Sequence, residues 1–524
     1  MSFLTFKFIL LSALFPVILI SQNINISQGN IFDGEPYIAV NPDNSQHIVI
    51  AWMGYKLTQK IAIKVKASFD GGKSWSNEST LKHDNPLFTS ADPSIDFGPE
   101  GDVYISYIDF SGFDVEPIQG GIYISKSSDG GLNWKNPVLV LEMNSDPGKR
   151  PIDRPWINVD RSQGDNKGNT YITSMNAKGV DSPPYHPYIS VSTDGGSTFN
   201  WKYLDSENWL AGNVIAQPMA TNALTSDGIF YAVYPSYVLS QNILPQYILA
   251  KSIDGANTFT YNTAFASAST VNDPNIKRGY LISVDPSDSK HLIFLHLTNN
   301  SGNIDVGISE SFNEGKNWHE FNKINDDNSN AMQDMAWGDF NDKGDYVVTW
   351  RDRRKAPNNS YANPYEFWAT VKYKDSLSFS KNFRISDTII AFDDILLKSG
   401  NDFMNCSYIE DTLYSVWGDT RNGKLNIWFH KTTIPDKNIN LIKKISSESN
   451  ILVKIYPNPT SSNVVIEAKD IIKITIYDIN GDLVKNIKYN FKTDRCKIEN
   501  LYAGIYILKV ETAQGKILKK LVIM

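Results

Sequence analysis

One short pattern recurs along this chain at a nearly constant interval, and a recurrence of that kind fixes an architecture before any single residue is interpreted. Ser68-Phe69-Asp70-Gly71-Gly72-Lys73-Ser74-Trp75 returns as Ser127, Asp129, Gly131 and Trp134, and again as Ser192, Asp194, Gly196 and Phe199. Two looser copies follow: Ser252, Asp254 and Phe259 with Ala256 in the glycine position, then Ser311, Asn313, Gly315 and Trp318 with asparagine for aspartate. The key positions Asp70, Asp129, Asp194, Asp254 and Asn313 are separated by 59, 65, 60 and 59 residues. Each copy reads as a hairpin turn. The Asp or Asn accepts hydrogen bonds from backbone N–H groups just ahead of it, glycine takes the positive-φ position, and the aromatic folds under the turn as a plug. These five side chains are assigned to folding, in buried turns, and not to chemistry.

A second landmark shares the period. A polar residue, often followed by proline, opens a first strand, and an aromatic-rich second strand follows a turn. The openings are Glu35-Pro36, Asp92-Pro93, Asp153-Arg154-Pro155, Gln217-Pro218, Arg278-Gly279, Gln333-Asp334 and Asn401-Asp402, which makes seven units. Their partners include His47 to Trp52, Val103 to Tyr107 and Tyr346 to Trp350, alternating strands bounded by turn residues. The seventh unit reaches a third strand, Asn426 to Lys431, and lacks a clear fourth, so Ile24 to Phe32 is available to close a ring. Twenty-six Tyr, 25 Phe and 12 Trp agree with an all-β chain. The predicted organisation is a propeller over 22–435, a polar linker over 436–449 and a small β-sandwich over 450–524.

The last segment carries its own ordered motifs: Lys454-Ile455-Tyr456-Pro457-Asn458-Pro459, Ile476-Tyr477-Asp478-Ile479-Asn480-Gly481, Ala503-Gly504-Ile505-Tyr506-Ile507, and a basic last strand around Lys519-Lys520. These read as strands joined by turns such as Asn480-Gly481. At the other end, Lys7 followed by the apolar run Phe8 to Ile20 and then Ser21-Gln22 has the layout of a cleavable signal peptide over 1–21. Thirteen apolar residues are too few to span a bilayer comfortably, and no later segment approaches a span, so no transmembrane segment is predicted in the mature chain. Cys406 and Cys496 fall in different predicted domains and give no disulfide framework. With 50 basic and 57 acidic residues, a net charge of -7 and no long single-sign run, a nucleic-acid partner is not expected. No zinc, P-loop or serine-hydrolase motif occurs, so neither a metal nor a cofactor is predicted.

The recurring pattern resembles the Asp box of the sialidase superfamily and its BNR-repeat relatives. That resemblance implies a propeller, and it sets the six blades typical of sialidases beside the seven units counted here. The C-terminal motifs, taken in order, resemble the type A sorting domain of the bacterial type IX secretion system. They imply the secretion machinery as a partner, passage across the outer membrane, and release or anchoring at the cell surface.

Strand polarity puts the boxes on one face and the seven openings on the other. The candidate ligand-binding set there is Glu35, Asp92, Asp153, Arg154, Arg278, Arg351, Asp352, Arg353, Asp419 and Arg421, with Asp109, Asp334 and Asp402 beside them. Arginine forks suit a carboxylate ligand, and the sialidase resemblance implies an arginine triad, a Tyr/Glu nucleophile pair and an acid/base aspartate. This chain departs from it: Glu35-Pro36-Tyr37-Ile38 stands where the family has its first arginine, and Tyr365-Glu366 would point to opposite faces of a strand. No catalytic residue is assigned. Three readings stay open: a glycosidase acting on acidic sugars such as sialosides, a propeller that binds glycan or protein without catalysis, and a lyase or hydrolase of another polysaccharide. Export is directly testable. Mass spectrometry of the protein from its native host should find no peptide spanning Ser21 and Gln22, and full-length chain in the cytoplasm would contradict it.

Overall fold

The computed structural model describes residues 22–55, 60–112, 114–115, 117–179, 182–238, 240, 245–266, 277, 279–299, 302–321, 323–358, 360–392, 401–435, 453–461, 463–478, 483–513 and 515–524. The predicted signal peptide, the 436–449 linker, Arg278 and the Asn480-Gly481 turn lie outside them. Two compact units divide the chain, Met1–Ile434 and Pro435–Met524. Every regular element among the described residues is a β-strand.

In the first unit the strands form seven four-stranded antiparallel sheets. Their innermost strands are Asp33–Val40, Thr89–Phe97, Asp153–Val159, Thr221–Leu224, Leu281–Val284, Gln333–Phe340 and Asn405–Ile409, and each touches the next, the last touching the first. Six of the sheets are consecutive meanders. The seventh takes its outer strand, Ile24–Asn25, from the start of the chain, with Ile24 paired to Phe429 and Asn25 to Trp428. Closure in this way leaves the ring without a loose end. It also joins residues about 400 apart in sequence, so the ring is held through its longest-range contact.

Neighbouring blades pack through the outward faces of their strands. Ile38, Ile50 and Trp52 of the first blade meet Val416, Ile427 and Phe429 of the last, and Val49, Ile63 and Val65 meet Ile95, Val103 and Ile105. Among the described residues no backbone ladder joins the inner strands of neighbouring blades, and side chains bridge them instead. Ile38 N donates to Asn405 Oδ1 (3.0 Å), Ile157 N to Ser94 Oγ (3.1 Å), Ile282 N to Thr221 Oγ1 (3.2 Å) and Tyr408 N to Asp339 Oδ2 (2.9 Å).

The boxes form the turns between third and fourth strands. In each of the five, the serine hydroxyl accepts the backbone N–H four residues on, as Ser68 does from Gly72 at 2.8 Å. Asp70 Oδ1 in turn accepts from Lys73 N and Ser74 N, and Ser74 Oγ donates to Oδ2. The bonds from Ser74 lead in holding the Asp70 carboxyl down at about 2. Ala256 keeps the geometry at φ 63°, which explains why a non-glycine copy survives. The aspartates thus accept from N–H groups just ahead of them, three and four residues on; one expectation needs correction, since these carboxylates sit at the solvent surface and not in buried turns, so each contributes modestly. Trp75 meets Phe429 of the adjacent blade edge to face at 5.2 Å, so the box aromatic also fastens blades together.

Register fixes the faces. In the first blade Val40, Ile48 and Ser68 align at one end, while Gly34 aligns with Met53 and Gly54 with Ala62 at the other. About six residues separate the levels, or roughly 20 Å, so boxes and openings lie on opposite faces.

The second unit is one five-stranded antiparallel sheet, Lys454–Tyr456, Val464–Tyr477, Leu483–Ile498, Gly504–Thr512 and Gly515–Ile523. The pairing of its two long strands slips on either side of Ile471, between Glu467 and Ile471 and again between Ile471 and Lys473, and irregularities of this kind bend a strand. Its core holds Ile466, Ile474, Leu508, Val510 and Leu521.

Asp129→Ala should lower Tm by roughly 1–3 °C, the effect of one exposed turn network in a large domain, and leave any ligand affinity of the opening face unchanged. A selective loss of binding at normal Tm would contradict the face assignment.

Candidate active site at the blade openings

Four inner strands begin with the same irregularity. Register slips between Gly34 and Tyr37, Ala91 and Ser94, Asp153 and Trp156, and Asp334 and Trp337. Inside each slip one non-glycine residue has a left-handed backbone: Glu35 at φ 51°, Asp92 at 51°, Arg154 at 51° and Met335 at 52°. Such residues are strained by about 1–3 kcal/mol each, and a bulge re-aims its side chain. Proline follows in the first three, holding the preceding residue out of the right-handed helical region. Polar side chains that a regular strand would turn into the blade interfaces are thereby gathered together.

They meet across the ring. The carboxyls of Glu35 and Asp153 both lie within hydrogen-bond reach of Asp92, and Arg154 N donates to Asp92 Oδ2 (3.3 Å). Arg154 Nη2 lies 2.8 Å from Asp402 Oδ2, and Lys277 Nζ lies 2.5 Å from Asp402 Oδ1. Asp402 N donates to Glu35 Oε1 (3.4 Å), while Gln217 Nε2 donates to Asp153 Oδ2 (3.0 Å). Six of the seven openings thus contribute to one polar cluster.

The environments push these carboxyls apart. Burial raises Glu35 well above the ordinary carboxyl range, and the charges of Asp92 and Asp402 push the same way against Arg154. Burial raises Asp153 likewise, assisted by Asp92. For Asp402 burial works against ionisation, but Arg154 and Lys277 outweigh it and hold the group below its usual value. The cluster therefore offers proton-bearing acids beside a clamped carboxylate, the combination that acid–base chemistry requires.

The other sequence candidates are held outside this group, Asp334 touching it only where it accepts Lys277 N at 3.3 Å. Asp334, at the sixth opening, is buried and accepts both Arg351 Nε (2.7 Å) and Nη2 (2.6 Å), and also Arg353 Nη1 (3.0 Å). Both guanidiniums are buried against Tyr361. Asp352 accepts Trp350 Nε1 at 2.7 Å and Arg354 Nη2 at 2.8 Å; Asp419 accepts Trp417 Nε1 at 2.7 Å and Arg421 Nη2 at 2.6 Å. The two Trp-x-Asp-x-Arg segments are the same clamp in successive blades, each arginine also covering a tryptophan, Arg354 over Trp368 and Arg421 over Trp428. Asp109 accepts from Ser90 and Asp84 N beside His83. Hence Arg154, Arg351, Arg353 and Arg421 do not converge into one fork, because a carboxylate holds each. Tyr365 packs on Phe367 and Arg351, whereas Glu366 accepts from Arg384, so this adjacent pair is divided as its alternation predicts. Lys277 was not singled out in the sequence, although its place beside the fifth opening was a usable signal.

Comparison with known proteins yields one family match and several similar solved structures. Residues 454–524 match the family model described as secretion system C-terminal sorting domain. The first unit is thus an all-β propeller of four-stranded sheets carrying a repeated Ser/Asp turn, and residues 454–524 match a secretion sorting domain. No curated protein sequence matches it. Solved structures similar to it include a Dyadobacter fermentans protein of unknown function (14% identity, 67% of this chain and 97% of that one, TM-score 0.42). The GH93 α-L-arabinofuranosidase of Fusarium graminearum with arabinobiose is similar at 12% identity, over 79% of this chain and 97% of that one, with TM-score 0.44. Trypanosoma rangeli sialidase with sialic acid is similar at 10% identity, over 96% and 86%, with TM-score 0.41.

The raised acids make a signed prediction. The folded chain keeps protons at Glu35 and Asp153 that the unfolded chain releases near pH 4, so stability falls as pH rises from that point toward the raised values. Glu35→Gln should match the parent Tm at pH 4 and exceed it increasingly toward pH 8. A constant offset across that range would show that Glu35 does not hold a proton.

Proposed function

We propose that this protein is a secreted or cell-surface glycan-directed propeller, and that the opening-face cluster is the site where it hydrolyses glycosidic bonds. The supporting observation is the division of labour among carboxyls: Glu35 keeps a proton in a buried position, while Asp402 is held ionised by Arg154 and Lys277. In this reading Glu35 protonates the leaving glycosidic oxygen, and Asp402 either activates water or meets the developing positive charge at the anomeric carbon. Asp153, raised likewise, lies beside Glu35 across Asp92. The strained bulges keep these groups in place without waiting for substrate.

The cluster also bears on which sugar is accepted. Its ion-paired cations, Arg154 and Lys277, are both engaged by Asp402, with Lys178 farther off, and carboxyls outnumber all three. An acidic sugar would have to displace Asp402 from Arg154, whereas a neutral one can donate its hydroxyls to the acidic ring without that cost. The reading therefore favours neutral glycans over sialosides.

The test is a panel of fluorogenic glycosides, neutral and sialylated, together with a glycan array, on the full chain. Turnover of at least one neutral glycoside is expected. Glu35→Gln and Asp402→Asn should each lower kcat by about 10²–10⁴-fold with the fold retained. Binding without turnover would favour a non-catalytic glycan receptor. Activity unchanged in Glu35→Gln would remove this cluster from the chemistry.

A further inference from the structure

The central channel contains a second chamber, on the face opposite the carboxylate cluster. Tyr37, Trp156, Trp337 and Phe403 come from four different blades and meet around the axis, with Tyr37–Trp156, Tyr37–Trp337, Trp156–Trp337 and Trp156–Phe403 ring centroids 5.9, 5.7, 5.6 and 5.1 Å apart. Rings from four blades cannot meet in this way without obstructing the channel. On the box side of them lies a cavity of about 640 Å³, lined by Tyr37 and Trp337, by the inner-strand residues Asn158, Asn222, Ser283, Asp96 and Asp339, and by the turns that end those strands.

Its volume falls in the range of small-molecule sites, roughly 300–1,000 Å³. Its surface is divided by chemistry: aromatic residues at the inner end, polar side chains along the wall. A sugar ring has the matching division, with C–H groups that lie on aromatic surface and hydroxyls that need partners around the edge. The charges narrow the choice. Asp43, Asp96, Asp342 and Glu410 line the cavity against one guanidinium, Arg161, which is held 2.6 Å from Asp96 Oδ1 and also donates to Phe97 O, while burial raises the Asp339 carboxyl to about 7. An anionic ligand would meet repulsion with no free cation on the described wall to offset it. Asp339 receives N–H groups from Phe340 and Tyr408 at 2.9 Å each, which fixes its carboxyl in the wall while leaving lone pairs for further donors.

We propose that this chamber is a second glycan site, which takes the terminal ring of an uncharged sugar chain through the box face. It needs no contribution from the opening-face cluster, so it stands whether or not that cluster is catalytic. In a surface protein, such a site would hold a glycan on one face while the other face remains open.

The experiment is saturation-transfer NMR on the full chain with the methyl glycosides of glucose, galactose, mannose, N-acetylglucosamine and sialic acid. At least one neutral glycoside should bind, and methyl sialoside should bind at least tenfold more weakly. Ala223→Trp places a large ring inside the chamber, and Ala39→Phe does so from another blade; whichever folds should weaken the neutral ligand at least tenfold. Asp339→Asn, which is nearly isosteric but gives up one of the two backbone N–H bonds, should weaken it about three- to tenfold. Glu35→Gln should leave this binding as in the parent, because it acts on the opposite face. Binding undiminished in both filling variants, binding lost only in Glu35→Gln, preference for the sialoside, or no neutral ligand bound at all would each overturn the proposal.

Discussion

The bulge at the start of the inner strands is the constraint on which the opening face depends. A regular strand of this ring sends alternate side chains into the interfaces between blades, where polar groups would be desolvated without partners. One extra residue with a left-handed backbone breaks that alternation at Glu35, Asp92 and Arg154. The strain, about 1–3 kcal/mol at each position, is tolerated because the rest of each strand is fixed by pairing and by packing against two neighbouring blades. A ring closed by its own first strand cannot relax one blade independently of the others. The same closure that stabilises the fold therefore maintains the strained positions that gather the site.

Gathered carboxyls repel one another, and what neutralises each decides its role. Arg154 and Lys277 favour the ionised form of Asp402, whereas burial, with the charge of Asp92 added, favours the protonated forms of Glu35 and Asp153. At the sixth opening the balance reverses. One carboxylate, Asp334, serves two buried guanidiniums, and Arg353 Nη2 is buried without a hydrogen-bond partner. Removing Asp334 would leave two buried positive charges, so its worth lies chiefly in that avoided cost. Blade 6 is thus tied by charge, and the first three blades direct theirs toward the axis.

Periodicity made the architecture legible. The box spacing, the seven openings and the incomplete seventh unit were all visible in the sequence, as was the availability of Ile24 to Phe32, because hairpin turns and closure are local or terminal features with few alternatives. The site was legible only by face. Glu35, Asp92, Asp153 and Arg154 could be placed on the same face by strand polarity, but whether an arginine reaches a ligand or a neighbouring carboxylate depends on rotamers and on residues hundreds of positions away. Arg154 finds Asp402, 248 residues on. Arg421 finds Asp419 only two residues away, within a Trp-x-Asp-x-Arg segment that occurs twice. That repetition was itself a signal for structure, since a clamp repeated in successive blades serves a feature the blades share. Lys277 escaped notice because arginines, with their forked donors, drew attention to Arg278.

The aromatic barrier between the two ends of the channel gives these observations a common physical sense. Without it, water would connect the carboxylate cluster to the box-side chamber, and the desolvation that raises Glu35 would be weakened from below. Tyr37 and Trp156 lie one residue beyond the prolines that fix the bulges at Glu35 and Arg154, so the element that aims the acids also sets the rings beneath them. Trp337 stands in the same relation to Met335 at a bulge without proline. A substitution in that aromatic layer would therefore act on both ends at once, altering proton affinity on one face and the end wall of the chamber on the other.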